Sequence, residues 1–274
     1  MRFRFKPASE SQAVRQPAVA GQFYPADPDE LRMDVNDFLA AAKTPTGKIP
    51  KAIIAPHAGY PYSGPIAGSA YACLARGRDR LKRVVLLGPS HFVGFDGLAA
   101  SSASVFESPL GSIPVDEEAL ARIRALPQVT TRDAAHEREH SLEVHLPFLQ
   151  IALGEFKLVP LVVGDATAEE VGGVLNELWG GNETCFVVSS DLSHYHDYQT
   201  AQEIDHETAR AIESLTWQDL DGGQACGCRP IGGLLWAARK RGLRCRTVDL
   251  RNSGDTSGRR DRVVGYGAFV FTED

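Results

Sequence analysis

The sequence predicts an α/β protein, a single domain with a mostly parallel central sheet flanked by helices. Short apolar runs that suit strands buried on both faces alternate along the chain with stretches of helical period. No linker rich in Pro, Ser or charge interrupts that alternation, and no fixed-period repeat is present, so one domain over residues 15–274 is expected, preceded by a flexible tail over 1–14.

Order is expected from about Pro17. A first helix over 28–42 sets Leu31, Val35, Phe38 and Leu39 on one face, with acidic residues early, as the helix dipole prefers. After a breaker stretch, 51–56 is short, apolar and rich in isoleucine, which reads as a buried strand. A helix over 64–76 and a strand over 83–88 follow. The Gly- and Ser-rich region up to residue 114 suits hairpins, and 116–126 suits a helix. Further along come helix 141–153, strand 157–163, helix 167–179, strand 184–189, and helices over 200–215 and 230–241. Strands at 245–250 and 263–271 close the chain, the last alternating in the way of an edge or antiparallel strand.

The chain has 29 Lys and Arg against 35 Asp and Glu, a formal charge of −6, which disfavours nucleic acid and anionic lipid as partners. The N-terminal stretch lacks the apolar core of a secretory signal, and no run is long enough to span a bilayer. Five scattered cysteines fit a reducing compartment better than a disulfide framework, so a cytoplasmic location is expected.

Ligands of open α/β sheets bind beyond the carboxyl ends of the strands. Three strands here end in one grammar: Pro56-His57-Ala58-Gly59-Tyr60, Gly88-Pro89-Ser90-His91, and Ser190-Asp191-Leu192-Ser193-His194. Imidazole is the commonest metal ligand and a ready proton carrier, so three strand ends aiming histidines at one face point to a metal-binding pocket. Gly59 is placed to let backbone approach a ligand closely. Cys226, in Ala225-Cys226-Gly227-Cys228-Arg229-Pro230, precedes a helix with Pro230 at its first position, and a thiol at the positive end of a helix is expected to have a lowered pKa. It is a further candidate ligand.

His136-Glu137-Arg138-Glu139-His140 matches H-E-x-x-H, in which two histidines one turn apart hold zinc. The flanking Arg132-Asp133-Ala134-Ala135 offers little apolar face, so a zinc hydrolase using His136, Glu137 and His140 is the less favoured reading. In the next stretch, His140 or Ser141 can cap a helix with Glu143 in its first turn; alternatively His140, Glu143 and His145 line the pocket.

Taken together, Ala20-Gly21-Gln22-Phe23-Tyr24-Pro25, the His57 and His91 motifs, Glu139-His140-Ser141-Leu142-Glu143-Val144-His145-Leu146-Pro147, Ser189-Ser190-Asp191-Leu192-Ser193-His194 and Cys226-Gly227 resemble, in order, the Memo family, also called AmmeMemoRadiSam system protein B in bacteria and archaea. The resemblance spans residues 17–271. It implies a fold similar to the class III extradiol dioxygenases, whose non-haem iron is held by two histidines and a glutamate while another histidine serves as acid and base. His57 and His91 match the metal histidines, His194 the catalytic histidine, and Cys226 stands where the dioxygenases have glutamate. Asp191 belongs to the same pocket as a catalytic residue, with Tyr60, His140, Glu143 and His145 lining it.

A thiolate is softer than a carboxylate, so the implied metal is iron or, alternatively, copper, with zinc behind them. Cys228 and Arg229 depart from the arginine and histidine expected after Cys226-Gly227. The resemblance implies an oxidoreductase acting on an unknown small molecule or peptide, or else a non-catalytic peptide- or protein-binding module. An AMMECR-type protein and a radical SAM protein are the implied partners.

Overall fold

The computed structural model describes residues 13–43 and 47–273. In chain order its first half comprises β1 (Val14–Arg15), α1 (Pro28–Ala41), β2 (Ala52–Ala55), α2 (Tyr60–Ala75), β3 (Arg83–Pro89), β4 (Leu98–Ala100), β5 (Val105–Ser108), β6 (Gly111–Pro114), α3 (Glu117–Ile123), β7 (Val129–Thr131) and α4 (Ala134–Glu137). A 3-10 turn, Glu143–His145, leads into α5 (Leu146–Leu153). There follow β8 (Lys157–Val163), α6 (Ala168–Glu177), β9 (Thr184–Ser189), β10 (His194–His196), α7 (Tyr198–Glu213), α8 (Cys228–Arg241), β11 (Arg244–Asn252), α9 (Ser253–Thr256) and β12 (Val263–Thr272).

The central sheet runs in the order β10-β12-β2-β9-β3-β8-β4-β7, with β11 also on β12. Its middle, β2-β9-β3-β8, is parallel throughout. Ile53, Ile54, Val84 to Leu87, Leu158, Val159 and Cys185 to Val188 are all fully buried, as strands covered on both faces must be. The pairing places Ala55 beside Ser189 and Leu87 beside Val188, so the chain leaves β2, β9 and β3 at one end of three adjacent strands. That register brings the loops bearing His57, Asp191 and His91 together.

The last strand is antiparallel, as its alternation suggested, but it is not an edge: β12 pairs β11 along most of its length and β2 at 269–271. The hairpin expected before residue 114 is β5-β6, and it joins β1 in a separate three-stranded sheet. Pairing of Val14 with Val105 moves the expected start of order back from Pro17; residues 1–12 of the expected tail lie outside the described residues.

Helix starts follow local capping. Asp27 accepts from the backbone N–H of Asp29 and Glu30, both at 3.0 Å, and Thr167 and Glu170 close a reciprocal box on α6. Three expectations shift. Helix α2 begins at Tyr60 rather than 64, because Pro61 is tolerated in a first turn. The helix expected over 141–153 is regular only from Leu146, since the Pro147 ring would clash with the carbonyl four residues back. Helix α8 starts at Cys228, which makes Pro230 its third residue and not its first.

Phe269 is fully buried on β12, between β11 and β2. Phe269→Ala is expected to cost about 3–5 kcal/mol of stability, through lost burial and an unfilled cavity, measured by denaturant unfolding.

Candidate metal centre

His57 leaves β2 as a buried side chain, 2% exposed. Its Nδ1 lies 2.5 Å from Ser189 Oγ, and that hydroxyl donates to Ser141 O at 2.6 Å. A hydroxyl that has given its proton away accepts, so Nδ1 carries the imidazole hydrogen and the Nε2 lone pair is free. Nε2 faces Cys226 Sγ at 3.4 Å. A metal bonded to nitrogen at about 2.0–2.1 Å and to sulfur at about 2.3 Å in tetrahedral geometry holds those atoms roughly 3.5 Å apart. The spacing fits.

His91 leaves β3 and is oriented by Glu139, which accepts from its backbone N–H at 2.7 Å and sits 2.8 Å from its Nδ1. Glu139 also accepts from Ser141 N at 2.9 Å. The carboxylate takes the Nδ1 hydrogen and leaves His91 Nε2 as a ligand atom, the outer-shell arrangement typical of metal-binding histidines. Ligand atoms of His57, His91 and Cys226 all lie within 4.8 Å of one another.

Cys226 reaches the strand ends because Gly227 has no side chain: a Cβ there would stand 2.6 Å from Ser189 O. Gly227 N donates to Ser190 Oγ at 2.9 Å, and Asp191 N points at Cys226 Sγ from 3.3 Å. Asp191 ties this loop to the His57 turn, accepting from the backbone N–H of His57 at 2.7 Å and of Ala58 at 3.3 Å.

Burial, then the neighbouring histidines, hold the His57 pKa well below its ordinary value, which keeps the ring neutral as a ligand must be. Burial alone would raise Glu139, but bonds from His91 and Ser141 bring it down to about 2, a permanent anion beside His91. The Cys226 thiol departs from expectation. Burial, then the Asp191 carboxylate, push it up to about 12 against the lowering hydrogen bonds from Asp191, Ser190 and Gly227, so a metal bound there would have to displace the thiol proton. Asp191 is raised by burial to about 7, partly opposed by the two backbone N–H groups.

The remaining expected residues divide. His140 belongs to the centre: its ring stacks 4.6 Å from His91 and stands edge-on 5.4 Å from His57. His194 is half-buried in β10, with a bulge at Tyr195, and is close enough to help depress His57. Tyr60 instead starts α2 inside the core, packed on Phe148 and donating to Val144 O at 2.9 Å. His145 is fully buried behind the site with Nδ1 2.8 Å from Tyr71 Oη, and Glu143 is bonded to the N-terminal segment rather than capping a helix. Gly59 has a negative φ and room for a Cβ at ordinary contact distance, so no close approach requires it.

The H-E-x-x-H reading does not survive. Helix α4 ends at Glu137, His136 Nε2 is 3.0 Å from Ala99 O, and His140 turns to the other cluster. His136 and His140 therefore do not share a helical face. A cleft of about 620 Å³ at the opposite end of the sheet is lined by Lys82, Arg83, Asp116, Lys157 and Glu183, but Arg83 already pairs with Asp116 at 2.6 Å, and no candidate ligand enters it.

Sequence reasoning gives Ser141 only as a helix cap, and Ser189 and Glu139 only as members of motifs, so the part these three play in orienting the histidines is missed. Glu139 occupies a variable place in the rejected zinc pattern, and nothing in its local sequence signals that it holds a histidine 48 positions away.

A family model described as Memo-like protein matches residues 15–270. A MEMO1 family protein of Methanosarcina barkeri is 36% identical over 273 residues, covering 94% of this chain and 99% of that protein. Another, of Aquifex aeolicus, is 37% identical over 270 residues, with the same 94% and 99% covered. Among solved structures, an uncharacterized protein of Escherichia coli K12 is similar in fold, with a TM-score of 0.52 at 14% identity over 81% of this chain and 100% of that one.

Asp191 yields a pH test on metal-free protein. Its folded pKa of about 7 lies above the ordinary 3.8, so its contribution to stability is full below about pH 4 and lost as pH rises through 7. Asp191→Asn keeps an oxygen for the two N–H groups and is expected to gain stability relative to wild type across that window, read from unfolding curves at pH 5 and at pH 8. A constant difference between the two proteins contradicts the assignment.

Proposed function

The chain belongs to the Memo-like family, and from that premise we propose that it is a metal-dependent oxidoreductase whose metal is held by His57 Nε2, His91 Nε2 and Cys226 Sγ. One observation carries the reading: two imidazoles have Nδ1 committed to Ser189 and Glu139, which leaves their Nε2 atoms free, and the two rings gather with a part-buried thiol. Two nitrogens and a thiolate can hold iron, copper or zinc; the oxidoreductase reading favours iron or copper and makes zinc the weaker candidate, because zinc has no redox chemistry. When bound, iron or copper would supply one-electron redox chemistry at the strand ends.

The chain's own residues divide the remaining work. Asp191 fixes the His57 turn against the Cys226 loop, so ligands from two parts of the sequence keep their spacing. His194, half-buried and lowered by burial, is a neutral base at pH 7 able to take a proton from a substrate and return it. Phe23 and Phe92 flank His140, with ring centroids at 4.7 and 6.1 Å, and give that side of the site an aromatic wall. The substrate is a small oxidisable molecule or a peptide. Five free cysteines among the described residues suit a reducing cytoplasm, and no described helix is long and apolar enough to cross a membrane.

A second reading has its own support. Phe92 and Tyr195, 53% and 64% exposed, directly follow two site histidines, as a surface that docks a peptide without turnover would require.

Protein purified without a metal-affinity tag and loaded anaerobically with Fe(II) or Cu(I) is expected to retain one metal per chain. Cys226→Ala should weaken retention more than about hundredfold, beyond the cost of losing an outer-shell partner, whereas His136→Ala should retain metal. Loss in His136→Ala alone contradicts the assignment. Because binding displaces the thiol proton, affinity is expected to climb with pH in wild type. Oxygen uptake with a panel of oxidisable compounds separates the two readings: turnover favours the oxidoreductase, and metal retention without turnover favours the docking module.

A further inference from the structure

The N-terminal segment 13–24 supplies no ligand, yet one buried cluster stitches it to the segment that orients both metal histidines. Arg15 is 7% exposed and forks three ways. Its Nε donates to His136 O at 3.1 Å, its Nη2 to Glu139 O at 2.7 Å, and its Nη1 to the Glu143 carboxylate. Glu143, 1% exposed, further accepts from Ala18 N at 2.8 Å, Val19 N at 2.9 Å and Tyr24 Oη at 2.5 Å. A buried ion pair is tolerated when further hydrogen bonds surround it; here each Arg15 nitrogen donates and both Glu143 oxygens accept. The planar guanidinium offers its N–H groups in a rigid fork, so it fixes two carbonyls and a carboxylate relative to one another.

Both ligand-orienting groups lie on the short stretch between those fixed points. The Glu139 carboxylate holds His91 through its backbone N–H and Nδ1. Ser141 O receives the Ser189 hydroxyl that in turn holds His57 Nδ1. Within the same segment, the Phe23 ring packs 4.7 Å from His140, and Phe23 O accepts from Tyr60 N at 2.8 Å, which ties the segment to the turn after His57.

We propose that Arg15, Glu143 and Tyr24 form a positioning clamp for the metal centre, through which the N-terminal segment sets the aim of His57 and His91 and so tunes metal affinity. The inference rests on the metal-centre reading above. None of the three residues touches the metal or substrate; they act through segment 139–141.

Removing Arg15 alone strands a buried carboxylate, so the informative variant is Arg15→Met combined with Glu143→Gln, which discharges both partners and keeps their shapes. Arg83→Ala, which breaks an ion pair at the far end of the sheet, controls for general loss of stability. The probe is Co(II) alone, followed by its ligand-field bands and its sulfur-to-cobalt charge-transfer band.

The double variant is expected to bind Co(II) about tenfold more weakly, as when a partner behind a metal ligand is lost, with shifted ligand-field bands and a retained sulfur band because Cys226 is untouched. Arg83→Ala should match wild type in both. A wild-type Kd and spectrum in the double variant, or an equal loss in Arg83→Ala, overturns the clamp. If the double variant does not fold, Tyr24→Phe decides: binding about threefold weaker, the worth of one hydrogen bond, supports the clamp and a wild-type value overturns it. If wild type takes up no Co(II), the metal-centre reading falls and takes the clamp with it.

Discussion

The hydrogen bond from His57 Nδ1 to Ser189 Oγ, relayed to Ser141 O, is the contact on which the rest of the site depends. A buried imidazole can present either nitrogen, and this relay fixes which one. With Nδ1–H committed, Nε2 is left with a lone pair facing Cys226. The relay also joins three parts of the chain: the turn after β2, the end of β9, and the segment before the 3-10 turn. Glu139, two residues from Ser141, performs the matching task for His91. One short segment therefore orients both histidines, which is why its attachment to the N-terminal strand matters.

Sheet topology supplies the coarse placement and burial supplies the chemistry. Parallel β2, β9 and β3 end side by side, and α8 is preceded by a loop that crosses those ends only because Gly227 allows it. The same enclosure that suits a metal is costly without one: the thiol is driven up to about 12 and the Asp191 carboxyl to about 7. A cation held there would relieve that cost by replacing the thiol proton.

Sequence patterns revealed the parts governed by short-range rules. The buried strands read directly from their apolar runs, and His57 and His91 read from the position of histidine just past a strand end. Cys226 was legible as a residue near a helix start, but the expected lowering of its pKa failed, because enclosure depends on which loops meet and not on neighbours in sequence. Glu143 shows the limit most clearly. Locally it resembles a capping residue, whereas its partners Arg15, Ala18, Val19 and Tyr24 lie more than a hundred positions away. Tyr60 shares a motif with His57, and His145 one with His140, yet helix geometry turns both into the core.

The most direct test of the account is X-ray absorption on metal-loaded protein, which reads the atoms bonded to the metal without reference to turnover. The account predicts one sulfur and two imidazole nitrogens in the first shell, with the sulfur absent from Cys226→Ala. A shell of nitrogen and oxygen alone in wild type, or a sulfur that persists in Cys226→Ala, would contradict it.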